Sequence, residues 1–360
     1  MVSGETKESS KENTREAVIL ASGGYDHTIR FWSPHNGQCL RIVQHPDSQI
    51  NSLAINHDKS YIAAAGFQHI RLFELQGQKN PNPIYNFEGI SKNVTAVGFQ
   101  EVSDWMYTTG EDGTIRVWDY RSRSPQAQRV VDIGSPINGV ALHPNQTDFY
   151  VGDQSGRIVM WDVRTSKPLQ YVVDPDVSIQ HVTIEPEANY MAAVDNKGNC
   201  YVFFICTNIV SHFAERRLKF RAHKRYALKC KFTPDCTLLV TTSADQTAKL
   251  WRTSDLEPLL VGDDFNNGSG VDSGWQVADH VSPHAELKDA NQRWVWDVAF
   301  SNDSQYIITG SSDSTARLWG VNDAEIKREY SGHQKAITAL AFVDGVPDSN
   351  CTSPNPKPSK

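Results

Sequence analysis

GEDGTIRVWD, from Gly110 to Asp119, is a tight polar turn followed by a short strand that ends in tryptophan. Four more stretches share the pattern: GGYDHTIRFW (Gly23 to Trp32), GDQSGRIVMWD (Gly152 to Asp162), SADQTAKLW (Ser243 to Trp251) and SSDSTARLW (Ser311 to Trp319). Weaker copies end at Phe73 and Phe203. Successive aromatic anchors lie 41, 45, 43, 42, 48 and 68 residues apart. Five of these intervals are at or near the period of about 40–45 residues that is typical of a four-stranded propeller blade.

Each repeat also contains a short strand with apolar residues at its start, middle and end, as expected for the innermost strand of a blade. These strands are INSLAI (Ile50 to Ile55), VTAVGF (Val94 to Phe99), INGVAL (Ile137 to Leu142), IQHVTI (Ile179 to Ile184), ALKCKF (Ala227 to Phe232), VWDVAF (Val295 to Phe300) and ITALAF (Ile337 to Phe342). The first repeat lacks one, and the last has no anchor after it. We therefore predict an all-β, seven-bladed WD40 β-propeller, whose C-terminal strand completes the first blade and closes the ring.

The domain organisation follows from composition. Polar residues rich in Ser, Lys, Glu or Pro at 1–15 and 344–360 predict disordered tails, and 16–343 is assigned to the propeller. The long sixth interval contains an insertion, 262–293, rich in Gly, Asn, Asp and Ser. We expect it to be a surface loop between blades 6 and 7.

The charge and cysteine content restrict the function. A net charge of −7 without a basic stripe disfavours a nucleic-acid surface, because phosphate binding requires clustered Lys and Arg. Six scattered cysteines without a CxxC pair fit a reducing compartment. No signal peptide, lipidation site or apolar run of about 20 residues is visible. We expect a cytoplasmic protein without direct membrane insertion, which reaches endomembranes, vacuole or lysosome only through its partners.

Periodic His and Asp residues predict structural hydrogen-bond networks rather than catalysis. A His before an inner strand, a turn Asp, a strand Ser or Thr and the anchor Trp can satisfy one another inside a blade. The residues assigned to such networks are Asp26, Trp32, His333, His223, Asp245, Trp251, Asp112, Trp118, Asp313 and Trp319. The pattern is incomplete elsewhere, since Gln68 replaces the Asp of blade 2 and the third and fifth blades lack a clear His.

Catalytic and metal-binding motifs are absent from the sequence. There is no HExxH, GxSxG, P-loop or GxGxxG after a strand. His280 and His284 have a helical ligand spacing, but Pro283 breaks the helix. Among inner strands only His181 and Asp297 could serve a propeller hydrolase. We predict no enzymatic activity, no cofactor and no metal.

A protein-binding rim is the more promising site. The residues before the inner strands and the second residues of those strands should gather at one face of the ring. From these positions we select Gln49, Asn51, Asn93, Asn138, Tyr226, Trp294 and Trp296 as candidate partner-binding residues. Trp294 and Trp296 flank Val295 on one strand, and tryptophan is enriched in interface hot spots. The alternative is that one of them packs between blades.

Several stretches outside the repeat pattern resemble one family, the WD-repeat subunit shared by the target-of-rapamycin (TOR) kinase complexes, also described as G-protein-beta-subunit-like. They include QHPDSQIN (Gln44 to Asn51), AAAGFQHIRLFEL (Ala63 to Leu75), PINGVALHPNQ (Pro136 to Gln146), YMAAVDNKGNCYVF (Tyr190 to Phe203), RYALKCKF (Arg225 to Phe232) and EIKREYSGHQKAI (Glu325 to Ile337). Together the similar stretches cover nearly the whole ring. The insertion 262–293 departs from the family's more compact form.

The resemblance implies a non-catalytic scaffold that binds an insertion in the TOR kinase domain near the catalytic cleft, stabilises the active arrangement and supports growth signalling. Its indirect partners would be the other subunits of TOR complexes 1 and 2. The family's docking rim corresponds here to Gln49, Asn51, Trp294 and Trp296. The alternative is a WD40 adaptor that reads a peptide motif, as in ubiquitin-ligase receptors. A rim pocket with paired Arg residues would favour that adaptor, and the sequence shows none.

Overall fold

The computed structural model describes residues 18–75, 81–122, 124–165, 167–205, 217–256, 275–278 and 281–345. These residues form 29 strands in seven sheets, each sheet being one blade of a β-propeller. The predicted all-β, seven-bladed fold is therefore confirmed. The proposed N-terminal tail, 1–15, lies outside the described residues, as do 346–360 of the proposed C-terminal tail.

The strands run through the blades in chain order. Blade 1 holds β1 (Ile19–Gly24), β2 (Thr28–Trp32) and β3 (Cys39–Gln44); blade 2 holds β4 (Ile50–Ile55), β5 (Tyr61–Gly66), β6 (Ile70–Glu74) and β7 (Tyr85–Phe87). Blade 3 holds β8 (Val94–Phe99), β9 (Trp105–Gly110), β10 (Thr114–Asp119) and β11 (Arg129–Asp132). Blade 4 holds β12 (Ile137–Leu142), β13 (Asp148–Asp153), β14 (Arg157–Asp162) and β15 (Leu169–Val172).

The remaining blades follow the same order with one exchange. Blade 5 holds β16 (Ile179–Ile184), β17 (Tyr190–Asp195), β18 (Asn199–Phe204) and β19 (Arg217–Arg221); blade 6 begins with β20 (Ala227–Phe232), β21 (Leu238–Ser243) and β22 (Ala248–Arg252). Next come β23 (Gln276–Ala278), which joins blade 5, and β24 (Ala285–Leu287), which completes blade 6. Blade 7 holds β25 (Val295–Phe300), β26 (Tyr306–Ser311), β27 (Thr315–Gly320) and β28 (Ile326–Ser331), and β29 (Ile337–Val343) joins blade 1.

The ring closes as predicted, through antiparallel pairing of the last strand with the first. In the register of β29 and β1, Leu20 lies opposite Phe342 and Ser22 opposite Leu340. The other six inner strands have the predicted bounds, and β29 extends one residue further, to Val343. The two ends of the folded chain are thereby held in one sheet.

The aromatic anchors form the core between blades. Trp118, Trp161, Trp251 and Trp319 are among the largest side chains that are fully buried, together with Phe73 and Phe203. Burial of such large apolar surfaces is the main stabilising contribution in a fold whose blades contact only their neighbours. The weaker repeats of blades 2 and 5 thus keep the same packing with Phe in place of Trp.

The insertion 262–293 is not a loop throughout. Strand β24 pairs antiparallel with β22, and β23 pairs in parallel with β19, so that blade 5 has five strands. Trp275, directly before β23, packs edge-on against Tyr201 and Phe203 at ring-centroid distances of 5.1 Å. The chain therefore leaves blade 6, adds a strand to blade 5, and returns to complete blade 6.

Candidate protein-binding rim

A β-bulge at the start of every inner strand builds the rim. Opposite the second strand of each blade, the pairing skips the second residue of the inner strand. The skipped residues are Asn51, Thr95, Asn138, Gln180, Leu228, Trp296 and Thr338. A bulge re-aims the side chain of the extra residue, here at the mouth of the central channel. The sequence analysis selected these positions from strand alternation and did not predict the bulges.

The structure divides the seven predicted rim residues into two groups. Five of them line the mouth of the channel: Gln49, Asn51, Asn93, Asn138 and Trp296. The other two, Tyr226 and Trp294, line a separate groove on the same face of the ring, outside the channel. The single rim of the prediction is thus two neighbouring surfaces, which Trp294 and Trp296 connect.

Three aromatic side chains form a cluster, here called the aromatic cluster, at the junction of blades 7 and 1. Trp294 and Trp296 lie with ring centroids 5.7 Å apart, and Tyr25 packs edge-on against Trp296 at 6.4 Å. Trp296 is half-buried and donates its indole N–H to the Ser312 hydroxyl at 2.6 Å. Trp294 and Tyr25 remain 37 % and 40 % exposed. Trp294 is therefore not a core residue, and its ring packs against that of the half-buried Trp296.

The part of the channel mouth that blades 2 and 3 form carries a chain of hydrogen-bonded polar side chains. Gln49 donates from its amide to Asn93 Oδ1 at 3.0 Å, and Asn93 donates to Glu111 Oε2 at 3.1 Å. All three side chains are half-buried. Because each amide is already oriented by its neighbour, this part of the rim is ordered before any partner arrives.

Three bulged residues also connect adjacent blades. Asn51 Nδ2 donates to the Val94 carbonyl at 3.0 Å, and Asn138 Nδ2 donates to the Ile179 carbonyl at 2.8 Å. The Thr338 hydroxyl donates to the equivalent carbonyl of Ile50. In each case the acceptor is the first residue of the next inner strand. The predicted interface residues Asn51 and Asn138 thus also hold the blades together.

A cationic groove beside Trp294 was not predicted. Arg221 and Arg225 line it together with Lys197, Lys224 and Tyr226. The expectation that the rim has no pocket with paired Arg residues is therefore wrong. The sequence does not reveal this groove because its cations are separated along the chain. Lys197 lies in a turn of blade 5, whereas Arg221 ends β19 and Arg225 lies in the connection from blade 5 to blade 6.

Inside the channel, Asp297 and His181, the residues considered for hydrolysis, contact side chains and backbone of neighbouring strands. Asp297 pairs with Lys229 Nζ at 2.8 Å and accepts the Leu340 backbone N–H at 2.8 Å. His181 Nδ1 lies 3.7 Å from Cys230 Sγ, but burial lowers the pKa of His181 well below its usual value and raises that of Cys230 well above it. The thiol stays protonated and hence unreactive.

The part of the chain that the structure describes holds no group of three or more His, Cys, Asp or Glu residues arranged to bind a metal. Over the same residues, no helix has the length and apolar character needed to cross a membrane.

Blades 1 and 6 contain complete hydrogen-bonded networks of the residues selected from sequence. In blade 6, Trp251 donates to Thr241 at 3.0 Å, Thr241 contacts His223 Nε2 at 2.7 Å, and His223 Nδ1 contacts Asp245 at 3.0 Å. In blade 1, Ser22 takes the place of Thr241 between Trp32 and His333, with both contacts at 2.7 Å, and Asp26 lies 2.8 Å from His333 Nδ1.

Blades 3, 4, 5 and 7 hold the turn carboxylate without a histidine, and blade 2 has Gln68 in its place. In blades 3 and 7, Asp112 pairs with Arg116 at 2.8 Å and Asp313 with Arg317 at 2.7 Å. Trp118 and Trp319 donate to strand threonines at 2.8 and 2.9 Å. Two residues that the sequence analysis overlooked, Asp153 and Asp195, are fully buried in blades 4 and 5 and accept backbone N–H groups of their own turns.

Comparison with known proteins agrees with this architecture. The family model described as "WD domain, G-beta repeat" matches residues 10–33, 37–70, 81–119, 215–252 and 282–320. "Target of rapamycin complex subunit LST8" of Bos taurus is 50% identical over 333 residues, 92% of this chain and 96% of that protein. "Protein LST8 homolog" of Drosophila melanogaster is 42% identical over 92% of this chain and 98% of its own length. The LST8 subunit of Saccharomyces cerevisiae is 40% identical, covering 68% and 82%.

Proposed function

Since this chain belongs to the LST8 family of WD40-repeat propellers, we propose that it is a subunit of target-of-rapamycin (TOR) kinase complexes. The family is non-catalytic, so the function is one of binding. Relatives from mammals and yeasts that are named as target of rapamycin complex subunits support the TOR assignment. A propeller of this kind would act in such a complex by presenting its rim residues to a partner.

The finer proposal is that the rim docks on the kinase domain of TOR and stabilises it. The aromatic cluster carries this proposal, because Trp294 and Tyr25 keep more than a third of their surface exposed on an ordered platform. Buried aromatic anchors supply most of the energy at protein interfaces, and a rigid rim loses little entropy on association. Gln49 and Asn93 flank the cluster with preoriented amides.

The test is co-purification of TOR kinase with the tagged chain, comparing Trp294→Ala with Tyr306→Ala. Tyr306 belongs to the same blade and has a similar exposure, 42 %, but it lies at the opposite end of the inner hairpin. We expect Trp294→Ala to reduce kinase recovery about tenfold or more, as for a hot-spot residue, and Tyr306→Ala to leave it unchanged.

The thermal melt of each variant is the control for folding. Since Trp294 is exposed, its truncation should leave the melt nearly unchanged. A collapse of the melt, or equal loss of the kinase with both variants, would contradict the interface proposal.

A second candidate, a peptide-reading adaptor of a ubiquitin ligase, gains support from one observation. Arg221 and Arg225 line one groove on the rim, which is the feature expected of such a reader. Mass spectrometry of the same purification separates the two functions: cullin-type ligase components without a TOR kinase would favour the adaptor.

A further inference from the structure

The cationic groove crosses three blades on the face that carries the rim. Lys197 lies in the turn between β17 and β18 of blade 5, Arg221 ends β19, and Lys224, Arg225 and Tyr226 form the connection to β20. Trp294, before β25, forms its far wall. The open volume is about 720 Å³, enough for several side chains of a peptide.

The charges in this groove are not neutralised. Lys197, Arg221, Lys224 and Arg225 are all exposed, and none of them forms a salt bridge with a carboxylate of the described residues. None of the residues that line the groove carries a carboxylate. The carboxylates close to it have partners of their own: Asp245 accepts from His223 and from the Lys224 backbone, Asp195 accepts from the Lys197 and Asn199 backbone, and Asp174 pairs with Lys219 at 3.2 Å. Four exposed cations without a salt bridge, on a chain with a net charge of −7, form a local positive field.

Two exposed aromatic side chains lie beside these charges. Tyr226 is 54 % exposed and Trp294 37 %, and both line the groove. A ligand that fits must therefore present anionic groups together with an apolar side chain. Arginine suits this task, because its planar guanidinium binds carboxylate or phosphoryl oxygens in pairs.

We propose that the groove binds an anionic peptide segment, in addition to the rim's partner. Carboxylates or phosphoryl groups of the segment pair with Arg225, Arg221 and the two lysines, and a neighbouring apolar residue packs on Trp294 and Tyr226. Nucleic acid fits less well, because the four cations of the groove form no extended basic stripe and the chain has a net charge of −7. The sharing of Trp294 places this segment directly beside the proposed kinase-docking surface.

The experiment measures fluorescence anisotropy of labelled peptides on the full chain. One peptide carries glutamates around a single phenylalanine, a second replaces the glutamates with glutamine, and a third replaces them with phosphoserine. We expect binding of the first or third peptide and not of the second, and the tighter of the two identifies the anionic group. Raising the salt from about 0.1 M to about 1 M should weaken binding, since the Debye length falls from about 10 Å to about 3 Å.

The decisive variant is Arg225→Glu, with Lys335→Glu as its matched control. Lys335 is exposed and lies two residues after His333, just as Arg225 lies two residues after His223, so the same charge reversal is made in the equivalent connection of blade 1. Arg225→Glu should weaken binding about tenfold or more, and Lys335→Glu less than about twofold. Arg225→Gln should give an intermediate loss, and the melts of all variants show that they are folded.

Three results would overturn the proposal. One is equal weakening by Arg225→Glu and Lys335→Glu, which would mean that the net charge acts and the groove does not. Another is binding of the glutamine peptide as tightly as the glutamate peptide. The third is displacement by a single-stranded oligonucleotide at lower concentration than by either anionic peptide. Because the assay contains no kinase, its failure leaves the TOR assignment to be judged by the co-purification alone.

Discussion

The buried histidine that precedes the inner strand lies beside an arginine in blade 2, whereas it lies beside an aspartate in blades 1 and 6. Burial alone would raise the pKa of Asp26, but the hydrogen bond and charge of His333, together with hydrogen bonds from Gln334 and Thr28, outweigh it and hold that pKa well below its usual value. In blade 2 the strand residue Arg71 donates to His45 Nδ1 at 3.0 Å instead. Burial, followed by the charge of Arg71, lowers the pKa of His45 to about 3. His45 is therefore neutral in the folded protein.

This difference predicts how stability depends on pH. The unfolded chain protonates His45 below about pH 6.5, while the folded chain keeps it neutral, so stability is lost as pH falls from about 6.5 towards 3. His45→Asn keeps an acceptor for Arg71 but cannot be protonated. Between pH 7 and pH 5, we expect the variant to lose about 2 kcal/mol less free energy of unfolding than the parent, as measured by urea titration.

His35→Asn is the control, because it replaces an exposed histidine at the edge of blade 1. It should retain the parent's pH dependence. If His45→Asn retains it too, then His45 is not held neutral by its surroundings, and the account of blade 2 fails.

At the scale of the element, the inner strands could be predicted because each one buries its first and fourth residues. The anchors and alternation gave six of seven inner strands to the residue and the seventh to within one residue. Strands β23 and β24 could not be found, since each has three residues and their pairing with β19 and β22 is a tertiary contact that no local pattern records. The insertion was for this reason assigned to a loop.

The candidate site was likewise predictable only in part. Alternation placed Trp294 and Trp296 on the rim, and the structure brings them together with Tyr25. The bulges that aim Trp296 and Asn138 depend on backbone pairing, which residue types do not reveal. The cationic groove depends on three blades meeting, so that Lys197 and Arg221, remote in sequence, become neighbours.

The fifth strand of blade 5 gives the prediction at this scale. Trp275 packs on Tyr201 and Phe203, and each such aromatic pair contributes about 0.5–1.5 kcal/mol beyond the burial of surface. Trp275→Ala should release β23 and speed hydrogen exchange of the Leu218 to Phe220 amides, with little change in the rest of the ring. Val277→Ala is the control, because Val277 lies in the same strand and is 63 % exposed. Unchanged exchange in Trp275→Ala would mean that backbone pairing alone holds β23.

At the scale of the whole molecule, ring closure is distinct because it pairs strands from the two ends of the folded chain. Strand β29 pairs with β1 over six registered positions, and the network of blade 1 joins Asp26 to His333, 307 residues away. The network of blade 6 has the same chemistry, but its partners Asp245 and His223 are only 22 residues apart. We therefore expect loss of the first network to favour opening of the ring, and loss of the second to loosen one blade within a ring that remains closed.

Asp26→Ala and Asp245→Ala therefore form a matched pair that separates local chemistry from topology. Each removes a buried carboxylate from a histidine, so each should lower the free energy of unfolding by ~1–3 kcal/mol in urea titration. Native-state hydrogen exchange should differ between them, because Asp26→Ala frees the last strand from the first and exposes the amides of β29 and β1 by local opening. Asp245→Ala should leave those amides protected and speed exchange in β21 and β22 instead. If β29 exchanges equally fast in both variants, the ring opens at no preferred place, and the Asp26–His333 contact has no special role in closing it.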